Sequence, residues 1–275
     1  MWAAWVTAEI MSDIIDRIMD LIKSVAKRSQ LSDVVYILLN LALACGVLLL
    51  TIAFQPPYLA YALVLLSKWR VFAVRARYWW ANLQTNTVDV LVGASVVTLI
   101  WQASGTLLVQ TFIALLYAAW LLILKPRSKR IYMIWQAGVA QFLAIMALFS
   151  IAHVLDSAVV VTVCYAIGYV CARHVMGAYD DQNLAMLSMI WGFFIAELGW
   201  LSYHWTTAYS LTTTLLLPQA SIIAALFGFV ALRCYDALVR EVPLWRSVKA
   251  PVLFSFAVMA ILLFSELSAI FNHTA

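Results

Sequence analysis

A carboxylate and an imidazole stand seven residues apart in Trp191-Gly-Phe-Phe-Ile-Ala-Glu197-Leu-Gly-Trp-Leu-Ser-Tyr-His204. At 3.6 residues per turn that spacing returns to one helix face after two turns. Both residues belong to an apolar run, where an ionisable group is costly to keep and marks a candidate functional site. The spacing recurs at Glu266 and His273. Between the two pairs stand Pro218 and Gln219. Read as a mid-helix residue, Pro218 frees the carbonyl of Thr214. At 1.5 Å per residue Glu197 then lies ~14 Å and Glu266 ~9 Å below the outer helix ends, level with Gln219 and Thr214. Two carboxylates, an amide, a hydroxyl and an unpaired carbonyl would form a polar layer reached from outside and suited to proton coupling. The competing reading makes each Glu a bond to a neighbouring helix and nothing more.

Two further groupings could carry chemistry. His153, His204 and His273 fall at outer ends of outgoing spans, with Asp156 near the first, and such a set could hold a transition ion. No His-Glu-x-x-His or other ligand spacing fixes its geometry, and interfacial histidines are the plainer explanation. On the inner side Arg173-His174 with Asp180, together with Asp89, could line a mouth or gate; solvated loop charges and a snorkelling or paired carboxylate are the plainer explanation. Cys45, Cys164, Cys171 and Cys234 form no close pair and read as small core residues. The Gly-x-Ser-x-Gly and Walker-type signatures do not occur. Nothing implies a cofactor.

The elements that must position these groups are membrane spans. Of 275 residues 65% are apolar and 11% charged, and the mean hydropathy of +0.95 excludes a soluble domain. The net charge of +4 reflects basic residues at span ends, so it orients helices and does not point to nucleic acid. The expected fold is all-α: an amphipathic surface helix within 1–30, then one transmembrane domain over 34–272. Its nine spans are read at 34–54, 58–70, 87–102, 106–124, 131–155, 158–173, 184–206, 208–232 and 251–272, the second and third short of the ~20 residues a bilayer needs. The segment 71–86 reads as a connector at headgroup level. An inside N-terminus places all 17 lysines and arginines on the inner side and the C-terminus outside.

An internal echo links the last two hairpins. Gly168-Tyr-Val-Cys-Ala-Arg173 resembles Gly228-Phe-Val-Ala-Leu-Arg233, Tyr179-Asp180 resembles Tyr235-Asp236, and the Glu-to-His spacing repeats. A parallel repeat 158–206 / 208–272 would account for these matches, as would chance among apolar helices. With no room for a soluble catalytic domain, the expected function is a secondary transporter or channel for a small polar or ionic solute in the cell membrane, proton-coupled through Glu197 and Glu266. The alternatives are a non-catalytic assembly subunit and an enzyme acting on lipid or a lipid-linked substrate. Expected partners are membrane lipids, a solute or proton, and another membrane protein or a second copy.

Overall fold

The structure, a computed structural model, describes residues 31–73, 75–179, 183–205, 208–211 and 215–273. The amphipathic helix read within 1–30 lies outside them. Nine helices follow in order: α1 (Leu31–Ala53), α2 (Tyr58–Leu66), α3 (Trp79–Gln102), α4 (Leu107–Ala119), α5 (Arg130–Ser150), α6 (Ser157–Tyr179), α7 (Leu184–Trp205), α8 (Gln219–Val239) and α9 (Leu244–His273). Among the described residues the fold is all-helical apart from two three-residue strands, β1 (Ala208–Ser210) and β2 (Leu216–Pro218). Eight of the helices are long and apolar enough to cross a membrane. The exception is α2, whose nine residues span about 14 Å against a core of about 30 Å.

Burial grades the helices from centre to edge. In α5 56% of the apolar window is buried, and in α9 only 6%. Facing α3, α6 and α8, the central α5 carries small residues, Ala137, Ala140 and Ala144, where its neighbours come close. α2 runs antiparallel to α3: the Tyr61 and Thr98 hydroxyls are 2.8 Å apart, and Lys68 reaches Asp89 further along. Buried amides tie other pairs. Gln110 of α4 donates to the Ile100 carbonyl of α3 at 3.0 Å, and Gln141 of α5 donates to the Ala224 carbonyl of α8 at 3.3 Å. Trp191 of α7 closes that second link by donating to the Gln141 amide oxygen at 2.8 Å.

The segment before Pro218 departs from expectation. A helix over 208–232 would hold Pro218 at its centre, but α8 starts at Gln219 and Pro218 flanks it with an extended ψ of 137°. Proline lacks the amide a helix interior needs and pushes its predecessor towards extended backbone. The residues before it therefore pair as a hairpin, with Tyr209 opposite Leu217. Leu215 seats the hairpin against Leu99, Met146 and Ala147 of the bundle. Pro218 stands before α8 and interrupts no helix; Thr214, whose carbonyl it was expected to free, lies outside the described residues. Two starts also move. α3 begins at Trp79, so half of the expected connector is its first two turns, and α9 begins at Leu244 and carries Pro251 inside it.

α6 and α7 make the tightest pair. A Cβ on Gly199 would sit 2.6 Å from Cys164 Sγ, and one on Gly168 would sit 2.9 Å from Ile195 Cβ and 3.1 Å from Gly192 Cα. Gly138 of α5 has nothing within 4 Å of the same position. Gly199→Ala is expected to cost about 1–3 kcal/mol by overpacking. Gly138→Ala should stabilise its helix by about 0.5–1 kcal/mol. Thermal unfolding of the two variants in detergent, read side by side, checks both signs.

Candidate functional site

One end of the bundle carries the turns α2–α3, α4–α5, α6–α7 and α8–α9, and with them the described lysines and arginines. Two helices end irregularly there. α2 unwinds after Leu66: the Ser67 amide donates to Leu63 O at 2.9 Å, its hydroxyl to Val64 O at 2.6 Å, and the Lys68 amide to Leu65 O at 3.0 Å. With these carbonyls satisfied the chain can stop short, and it leaves a cation at a helix C-terminus, where the dipole favours one. The Lys68 side chain is 9% exposed, and its Nζ donates to Asp89 Oδ2 at 3.1 Å.

The second irregular end is that of α4, which closes in a π-turn over Trp120–Leu124, with the Lys125 amide bonded to Trp120 O at 3.0 Å. Such turns insert one residue into the helical register and re-aim the side chains beyond it. The carbonyls around it are met by side chains from two other helices. Tyr36 donates to Leu121 O at 3.3 Å, and Gln136 donates to Leu124 O at 2.7 Å and to Arg127 O at 3.0 Å. Lys125 Nζ comes to 3.5 Å from the same Asp89 oxygen that Lys68 uses.

Asp89 therefore faces two ammonium groups from two broken helices. It lies on α3 about 10 Å along from Asn82, where the apolar window begins. The polar chain continues sideways. The Gln136 amide oxygen is 3.0 Å from His174 Nε2, and Arg173 donates to the Tyr169 hydroxyl at 3.0 Å and to Gln84 Oε1 at 3.2 Å. Arg127 is buried over the Tyr132 ring beside this chain. A belt of charged and amide groups thus crosses α2, α3, α4, α5 and α6 at one level.

Of the residues singled out from sequence, the belt gathers Asp89, Arg173 and His174; Asp180 lies outside the described residues. Of the polar layer read around Glu197, the structure describes the side chains of Glu197, His204 and Gln219, while Thr214 and the Glu266 side chain lie outside the described ones. Glu197 is exposed on the outward face of α7, among the equally exposed Phe193, Trp200 and Leu201. Gln219 is buried at the start of α8, where it donates to the Tyr209 hydroxyl at 3.0 Å and pins the hairpin. Glu266 and His273 belong to α9, and their side chains lie outside the described ones.

The two described histidines at the hairpin end have different neighbours. His153 lines a cleft of about 350 Å³ with Ser202, Tyr203 and Pro218. His204 packs edge-on to Trp200 at 5.1 Å and to Tyr203 at 5.2 Å. The Asp156 carboxylate accepts the Ala158 amide at 3.4 Å and so caps α6. Among the described residues no three His, Cys, Asp or Glu side chains converge as metal ligands would.

Lys68, Lys125 and Gln136 were not singled out. As orienting charges the two lysines carried a sufficient explanation, and Gln136 carried no signal beyond being an amide in an apolar run. The one available clue was the second span, read at 58–70 and too short to cross, with Lys68 near its end. No family model matches this chain, and no curated protein or solved structure matches it either.

Gln136→Leu removes two carbonyl partners and the His174 contact at once. The expected cost is about 1–3 kcal/mol for each carbonyl left dry, reduced where water reaches the turn. A lower melting temperature in detergent, with Gln136→Glu no better tolerated than Gln136→Leu because a carboxylate cannot donate to the two carbonyls, is the outcome to look for.

Proposed function

We propose that this multi-pass chain is a secondary transporter for a small ionic solute, with its solute site at the Lys68–Asp89–Lys125 cluster. The observation that carries the reading is the pairing of intramembrane charge with broken helices. Ionisable groups at membrane depth mark solute and ion pathways. Transporter sites form where discontinuous helices leave backbone ends to be satisfied. The short α2 and the π-turned α4 both end at Asp89. By the excess of basic residues, the end bearing this cluster faces the cytoplasm, in the cell membrane, with the N-terminus inside and the C-terminus outside.

Movement would come from exchange of partners. Asp89 holds Lys68 and Lys125 together, and a solute that took either lysine would release α2 or the end of α4 from α3. The site would then open to one side as a packed helix pair separates, without large rearrangement of α5 and α6.

A second reading, an assembly subunit, is favoured by Glu197. A carboxylate exposed at mid-helix on an apolar face suits contact with another membrane protein or a second copy more than it suits an interior pathway. The two readings divide on one comparison. In proteoliposomes driven by a solute gradient, with acetate and phosphate as first probes, Asp89→Asn and Lys125→Met should abolish uptake while Glu197→Gln leaves it within about twofold. Uptake that survives Asp89→Asn and is lost in Glu197→Gln would remove the cluster from the pathway.

A further inference from the structure

The charge of the cluster says what kind of solute it takes, an inference that rests on the site placement proposed above. Lys68 and Lys125 contribute two ammonium groups, and both lie against one oxygen of Asp89, at 3.1 and 3.5 Å. The group therefore carries one positive charge more than it compensates. Its members are 9%, 24% and 16% exposed for Lys68, Lys125 and Asp89, so water screens them only in part. Uncompensated charge at membrane depth is expensive, and a matching counter-ion is the cheapest remedy.

We infer that the Lys68–Asp89–Lys125 cluster is a binding site for a singly charged oxyanion, a carboxylate or a phosphate diester group, which completes its charge balance. The Asp89 carboxylate marks the geometry such a group would adopt, since it already presents an oxygen to both ammonium groups. One negative charge brings the cluster to neutrality, and two would overshoot it. The site should therefore prefer monoanions to dianions. Donors are abundant: each ammonium offers three protons and Asp89 takes one from Lys68. A carboxylate or phosphate can come from a dissolved solute or from an anionic lipid headgroup at this depth.

The test is the melting midpoint of the purified full chain in nanodiscs of phosphatidylcholine at constant ionic strength, titrated with sodium acetate or sodium sulfate. Acetate is expected to raise the midpoint saturably, and sulfate at least tenfold less effectively. Asp89→Asn leaves two positive charges and should reverse that order. Lys125→Met leaves none and should abolish the acetate response. Asp89→Asn with Lys125→Met returns the cluster to one positive charge and should recover acetate preference, which separates charge balance from damage to the fold. If phosphatidylglycerol in the nanodisc competes with acetate, the oxyanion site stands and its occupant is a lipid headgroup. No acetate response in the wild type, or the same order of anions in Asp89→Asn, overturns the inference. Anion binding without uptake keeps it and removes the transport reading; uptake without anion binding does the reverse.

Discussion

A single carboxylate joins the parts of this bundle that helical hydrogen bonding leaves apart. Asp89 meets Lys68, at the end of a helix too short to cross, and Lys125, just past a π-turn. Taking such groups out of water costs several kcal/mol per ion, and only good geometry with further hydrogen bonds recovers it. Both helix ends are arranged to supply that geometry. Their loose carbonyls are bonded by Ser67, Tyr36 and Gln136, so the backbone is satisfied where it stops being regular. The rest of the basic end follows, because Gln136 extends the same bonding to His174 on α6.

Much of the fold was legible because composition and length decide it. Runs of apolar residues near the span length place helices to within a few residues, as at 106–124 against Leu107–Leu124 and 184–206 against Leu184–Trp205. The failures have local causes. Residues 208–217 are apolar enough for a span but precede a proline, and backbone preference outweighs hydropathy there. The site was legible in part. Asp89, Arg173 and His174 stand out as charges inside apolar runs, whereas Lys68 and Lys125 look like orienting charges because they are that as well. A contact between residues 36 positions apart has no signature in a single sequence.

Glu197 shows the limit from the other side. Its depth was read from chain position, but depth along a helix leaves the direction of the side chain open. On α7 the face that meets α6 is built from Gly192, Ile195, Ala196 and Gly199. A helix docked by its small residues turns its long ones outward, and Glu197 goes with Phe193 and Trp200. The packing that makes α6 and α7 the tightest pair is thus the reason the carboxylate lies outside the bundle.

The graded burial of the helices bears on how the molecule is made. With 6% of its apolar window buried, α9 presents nearly all of that window outward and packs on α8. The ion cluster and its amide supports draw on α1 to α6 alone. Synthesis proceeds from the N-terminus, so these six can close around Asp89 while the last hairpin is still on the ribosome.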